Sequence, residues 1–182
     1  MNDIEKKIRG CINRPLRKLE IANVNTFTTD RGIKLRRTIN APVRKIFEVA
    51  GTKRRIHVER YPKLEKGENY VFISNHSFDE DIIATLSQLG CHAYVLIGTS
   101  DQLEYNPLMY AAWVNGFVYV NRLDPISRRE ALPKMERIIN AGSSMLVFGE
   151  GGWNNTEHRP SKPQFAGGVS LAQKTNRKVV LV

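Results

Sequence analysis

In Tyr70-Val71-Phe72-Ile73-Ser74-Asn75-His76, the short and largely apolar run Tyr70–Ser74 is followed by the polar Asn75 and His76. A bounded, largely apolar run of this length reads as a short strand. The rhythm continues outward from it. Asp81–Leu89 has a helical spacing and Gly90 is a stop. Ala93–Ile97 is a second strand. Asp101 with Glu104 makes a capping box for a helix running toward Trp113. Phe117–Asn121 is a strand, and Ser127 with Glu130 is a further capping signal for a helix ending near Gly142, with Pro133 an awkward interior residue. Met145–Phe148 is a strand, Phe165–Thr175 a helix and Lys178–Val182 a strand. On the amino-terminal side, Ile56–Arg60 alternates apolar and polar residues as a strand does. Strands alternating with helices predict an α/β fold with a mostly parallel central sheet flanked by helices.

The chain has 182 residues, 41% of them hydrophobic and 25% charged. That is enough for one core and too little for two full domains. The net charge of +10 is uneven. Residues 1–66 hold 18 Lys and Arg against 7 Asp and Glu, a net +11, while residues 67–182 hold 10 against 11. Such an arm seeks an anionic membrane surface, a nucleic acid or a phosphorylated substrate. Ile4, Ile8, Cys11, Ile12, Leu16 and Leu19 recur at helical spacing among basic residues, with Pro15 as a kink. This basic amphipathic helical segment either lies in a bilayer interface or packs on the protein's own core. Residues 23–40 are expected to be loop or weak strand. Asn40-Ala41-Pro42 reads as a helix start, with Gly51 as its stop. The expected division is a basic helical segment over 1–55, with possible membrane-surface contact, and an α/β domain over 56–182.

No run of about 18 apolar residues occurs, so no transmembrane helix is expected. No apolar stretch follows the first basic residues, so no signal peptide is expected either. Cys11 and Cys91 make neither a disulfide framework nor a metal spacing, and suggest a reducing cytosolic setting. His57, His92 and His158 fit no ligand spacing with His76, so no metal is expected. Nucleic acid is not expected, because the basic arm lacks the interleaved aromatics of a stacking platform, with Phe27 and Phe47 too few.

Ligands of an open α/β sheet bind beyond the carboxyl ends of its strands. Three polar clusters fall there: Asn75 and His76, then Arg122 after Asn121, then Gly149-Glu150-Gly151-Gly152. A His at a strand end can take a proton from a hydroxyl near neutral pH, and Asp81 at a helix start can hold its other ring nitrogen. Acidic residues also favour the first turn of a helix for its dipole alone, which accounts for Asp79 and Glu80. Arg122 can grip a phosphate, or make a surface salt bridge. The glycine-rich turn can offer N–H groups to a phosphate or oxyanion, or be a turn with no ligand. Glu150 can take a hydroxyl or brace that turn.

In this order the pieces resemble the glycerolipid acyltransferase family, best known from the lysophosphatidate acyltransferases. Asn75, His76 and Asp81 are similar to its Asn-His-x4-Asp motif. Gly116, Tyr119, Val120, Asn121 and Arg122 are similar to its second motif, Phe148, Glu150 and Gly151 to its Phe-Pro-Glu-Gly-Thr-Arg-Ser motif, and Val179–Val182 to its Val-rich fourth. Phe78 stands where the family has Ser, and Gly149, Gly152, Trp153 and Asn154 replace Pro, Thr, Arg and Ser. The chain ends as the fourth motif finishes, so the domain is expected to be incomplete at its carboxyl end. The resemblance implies transfer of a fatty acyl group from acyl-CoA or acyl-carrier protein to a lysophospholipid hydroxyl, in phospholipid biosynthesis. It implies a catalytic His76–Asp81 pair, and a substrate site of Asn75, Asn121, Arg122, Glu150 and Gly151. It implies no cofactor beyond the thioester co-substrate, and a peripheral place on the cytoplasmic face of an anionic membrane. The rival expectation is a catalytically impaired acyltransferase fold that only binds anionic membrane.

Overall fold

The computed structural model describes residues 3, 4, 7, 8, 11, 29–53, 63–77, 81–98, 115–156, 159 and 161–182. The strand expected at Ile56–Arg60, the helix from Asp101 toward Trp113, and most of the first twenty residues lie outside them. So do Phe78, Asp79 and Glu80.

Five strands form one sheet: β1 (Val71–Ser74), β2 (Ala93–Gly98), β3 (Phe117–Val120), β4 (Ser144–Phe148) and β5 (Val179–Leu181). Every pairing is parallel and the order is β3-β2-β4-β1-β5. The α/β reading of the sequence is therefore observed. Successive residues of β1 serve opposite faces. Phe72 joins Leu86, Leu89, Val95, Phe117, Leu146 and Phe148 on one side. Val71 joins Ile33, Tyr94, Val118, Met135, Ile138, Met145 and Leu171 on the other. Burying each of these larger side chains is worth roughly 1.5–3 kcal/mol, and both faces are covered, so the central strands are apolar throughout.

Four helices are described along their length: α1 (Asp30–Lys53), α2 (Asp81–Gln88), α3 (Pro125–Asn140) and α4 (Gly167–Thr175). None is long and apolar enough to cross a membrane. Helix α1 corrects two expectations. Residues 30–40 are helical rather than loop, and Pro42 lies inside the helix instead of starting it. The inward stripe is Ile33, Arg36 and Asn40, all buried. Two of the three are polar, so apolar periodicity did not reveal it. Helix α1 straps the amino edge of the sheet. Arg37 Nη1 donates to the Gly142 carbonyl at 3.1 Å, Arg44 Nη1 to the Gly90 carbonyl at 2.8 Å, and Asn40 Nδ2 to Asn115 Oδ1 at 3.0 Å. Of the expected amphipathic segment, Ile4, Ile8 and Cys11 are described, and each is helical and exposed.

Helix α3 begins earlier than its capping signal suggested. Asp124 is the N-cap, its Oδ1 accepting from Ile126 N at 2.9 Å, with Pro125 in the first turn. Ser127 Oγ instead accepts from Asn121 N at 2.9 Å, and Glu130 pairs with Lys134 one turn on. Pro133 is carried inside the helix. Helix α4 starts at Gly167, two residues after the expected Phe165, and ends on Asn176, whose φ of 51° is left-handed.

The amino edge also seats His92. Its Nε2 meets the Asn115 carbonyl at 2.7 Å and its Nδ1 meets Ser143 Oγ at 3.0 Å. The carbonyl can only accept, so Nε2 carries the proton and the hydroxyl donates to Nδ1. Burial above all, with Arg37, Arg44 and Arg36 adding to it, lowers its pKa to about 4. The unfolded chain, with an ordinary value near 6.5, binds the extra proton across that window. Stability is therefore full above pH 6.5 and declines as pH falls toward 4, by up to about 3 kcal/mol. Urea unfolding at pH 7.5 and 4.5 should show this loss shrinking by about half or more in His92→Gln. An unchanged loss would show that other groups carry the acid sensitivity.

Candidate active site

The strand order makes the site. It sets β4 beside β1, with Ser74 in register with Phe148. The segments leaving their carboxyl ends, 75–77 and 149–154, are therefore neighbours, although some seventy residues separate them in the chain. The main chain ties them: Gly149 N donates to the Ser74 carbonyl at 3.2 Å, and Asn154 N donates to the His76 carbonyl at 2.6 Å.

His76 Nδ1 lies 3.2 Å from Asp81 Oδ2. The same carboxylate oxygen accepts the Ser77 N–H, which fixes it from a second direction. Asp81 is the first residue of α2, so the helix start that suits its charge also aims it back at the ring. The ring stacks on Phe148, with centroids 4.5 Å apart, and meets Trp153 edge-on at 6.1 Å. Held so, Nδ1 carries the proton toward Asp81. Among the described residues Nε2 makes no hydrogen bond. The ring is thus tethered through Nδ1 at the carboxyl edge, and Nε2 is its uncommitted nitrogen among the described residues.

Arg122 follows β3, two strands away from β4, and its side chain spans the gap. The guanidinium lies over Gly98 at the end of β2, where a Cβ would sit 2.7 Å from Arg122 Cζ. Its Nη1 reaches within 3.5 Å of where a Gly152 Cβ would be. The cation is thus drawn across β2 toward the turn beside His76.

Glu150 is buried at that turn. Its Oε1 accepts from Lys162 N at 3.0 Å, while Oε2 is buried without a partner among the described residues. An unpaired buried carboxylate oxygen costs about 1–3 kcal/mol or more, so a donor is called for. The turn's N–H groups are less open than the glycines suggest. Gly149 N and Gly151 N are committed to the Ser74 and Phe148 carbonyls. Asn121 shapes its own turn, its Oδ1 accepting from Leu123 N at 3.0 Å. Asn75 stands exposed at the end of β1.

Trp153 and Lys162 were not singled out as site residues from the sequence. Trp153 appeared there only as the replacement of a motif Arg. Lys162 lies twelve residues past Glu150, and its Nζ donates to the Trp153 carbonyl. No residue pattern marks it. Among the described residues no group of three or more His, Cys, Asp or Glu is placed to hold a metal. Burial pushes the Cys91 thiol up, and it lies at the amino edge near Ser144, away from this site.

The fold and this edge define an α/β enzyme with a carboxylate-oriented histidine. A family model described as Acyltransferase matches residues 55–182, and the chain belongs to that family, the glycerolipid acyltransferases. It is an acyltransferase domain. No curated protein and no solved structure matches the chain.

Proposed function

We propose that this protein transfers a fatty acyl group from acyl-CoA or acyl-carrier protein to the free hydroxyl of a lysophospholipid such as 1-acylglycerol 3-phosphate. The observation that carries the reading is His76, with Nδ1 held by Asp81 and Nε2 open at the carboxyl edge. Nε2 removes the acceptor hydroxyl proton as the oxygen attacks the thioester carbonyl. Asp81 stabilises the imidazolium that results. The tetrahedral intermediate collapses, the C–S bond breaks, and the imidazolium returns its proton to the departing thiolate. The acceptor oxygen attacks directly, so no side-chain nucleophile is used. Arg122 holds the acceptor phosphate, and Glu150 Oε2 accepts from a second hydroxyl or the attacking one. The enzyme works peripherally, on the cytoplasmic face of an anionic membrane, in phospholipid synthesis.

The test is incorporation of a radiolabelled acyl chain into lysophosphatidate by the purified protein, with both donors. The Arg122 placement adds a specific expectation. Gly98→Val should push the guanidinium off its seat and raise the KM for a phosphorylated acceptor about tenfold. That corresponds to ~1.4 kcal/mol of lost binding, as for one charge-assisted contact. The KM for the donor should change little. Equal rises in both would mean that the substitution had disturbed the whole edge.

A second reading, membrane binding without turnover, draws on the committed Gly149 and Gly151 N–H groups. Folded protein that sediments with anionic vesicles yet labels no acceptor would favour it.

A further inference from the structure

Asn115-Gly116 is the one Asn-Gly step in the chain, and it lies at the amino edge, away from His76. Such a step carries a reaction of its own. The main-chain nitrogen of the second residue can attack the side-chain amide carbon of the asparagine, and glycine has no Cβ to shield that nitrogen. The bond from Gly116 N to Asn115 Cγ forms and the Cγ–Nδ2 bond breaks. Ammonia leaves with the proton that the Gly116 nitrogen gives up. The product is a succinimide ring, which water opens to aspartate or isoaspartate. The balance is one water taken up and one ammonia released.

The fold holds this step closed. Asn115 is buried, and its Nδ2 donates to the Ala93 carbonyl at 2.8 Å and to the Gly116 carbonyl at 3.0 Å. Its Oδ1 accepts from Asn40 Nδ2 at 3.0 Å. Both amide hydrogens are committed and the oxygen is held from the other side, so Cγ cannot swing onto the Gly116 nitrogen without giving these bonds up. The backbone is pinned as well. The Asn115 carbonyl meets His92 Nε2 at 2.7 Å, and the Gly116 carbonyl accepts from Val95 N at 3.3 Å.

These holds differ in permanence. Ala93 and Val95 belong to β2, inside the sheet between β3 and β4. Asn40 belongs to α1, which joins the amino edge from outside and is clasped by exposed bonds from Arg37 and Arg44. Peripheral elements of this kind open at a lower free energy than central strands.

We propose that Asn115 is a deamidation site guarded by α1, and that the reaction turns a passing release of the helix into a lasting one. The product accounts for the permanence. A carboxylate only accepts, so an aspartate at this position sets its oxygens against the Ala93 and Gly116 carbonyls, which had received donors. Isoaspartate adds a carbon to the main chain of the turn. Either form removes the seat of Asn40.

The test follows the full chain in warm, mildly alkaline buffer, with tandem mass spectrometry locating the amide-to-acid mass change at Asn115. Folded wild type should react at least about tenfold more slowly than the same chain in urea, because only the open fraction reacts. Asn40→Ala and Arg37→Ala/Arg44→Ala, still folded by circular dichroism, should react at least about fivefold faster than wild type. Leu171→Ala, which opens a cavity under α4 and touches none of these bonds, should react at the wild-type rate. Asn115→Asp, the product installed directly, should raise trypsin cleavage at the arginines and lysines of α1 about tenfold. Wild type reacting as fast as the urea-unfolded chain would show that nothing guards the site. Clasp variants no faster than Leu171→Ala would assign the exposure to global unfolding, and an Asn115→Asp protein as trypsin-resistant as wild type would show that the edge accepts the product. Any of these three overturns the proposal.

Discussion

Replacing His76 with Ala is expected to lower acyl transfer roughly 1,000-fold while the protein stays folded, since a positioned general base contributes ~10²–10⁴ in rate. The two parts of this expectation have separate physical origins. The rate depends on Nε2, which a methyl side chain cannot replace, and no other described imidazole lies at the carboxyl edge. His92 is at the amino edge with both ring nitrogens engaged. The fold depends little on the ring. His76 lies at the rim of the core, and its bond to Asn154 uses the main-chain carbonyl, which alanine retains. Ser77 N still satisfies Asp81 Oδ2. Initial rates with radiolabelled donor, beside a thermal melt of each protein, separate the two. Turnover within tenfold of wild type by a folded His76→Ala protein would falsify the assignment of the base.

The largest expected effect on stability lies at the other edge. Gly116 has a φ of 96°, and a Cβ there would stand 2.7 Å from Tyr94 Cε1 and 3.1 Å from its Cδ1. Tyr94 is fully buried in the core beneath α3, so its ring has no solvent to swing into. Gly116→Val combines a β-branched residue in the left-handed region, at about 1–3 kcal/mol, with overpacking of about 1–3 kcal/mol. The neighbouring Asn115 ties Asn40, Ala93 and His92 together, so displacement of this turn spreads along the edge. A loss of about 4 kcal/mol lowers Tm by about 10 °C in a chain of this size. Gly116→Ala, without the branch, should fall between. A valine variant melting within 2 °C of wild type would show that Tyr94 yields freely. The motif glycine at this position thus has a backbone reason to be glycine, independent of chemistry.

The strands were legible because they are buried on both faces. Val71–Ser74, Ala93–Gly98 and Ser144–Phe148 are apolar runs bounded by polar residues or glycine, and each lies within a residue of its expected limits. Helix α1 was not legible, because its inward stripe is Ile33, Arg36 and Asn40. A buried Asn looks like a surface Asn until Asn115 is there to receive it. The start of α3 was misplaced because Ser127 and Glu130 have capping spacing, yet Asp124 before Pro125 had the better geometry. At the site, the contact between His76 and Asp81 follows from spacing within one strand–helix junction. Trp153 against His76, and Arg122 over Gly98 toward Gly152, depend on the strand order β3-β2-β4-β1-β5. That order arises from packing between distant segments and leaves no local trace.

The arginine clasp at the amino edge has a consequence for how such domains can diverge. Arg37 and Arg44 bind the carbonyls of Gly142 and Gly90, and no side chain on the receiving loops takes part in either bond. The loops are recognised by the shape of their backbone, with φ of 87° at Gly142 and 66° at Gly90. These two bonds therefore set no demand on the side chains of the receiving turns, unlike the nearby His92–Ser143 and Asn40–Asn115 contacts, which do. A leading helix that carries arginines seven positions apart is thus held at two points by backbone shape, and its fit to a particular sheet is left to Ile33 and to Asn40 on Asn115.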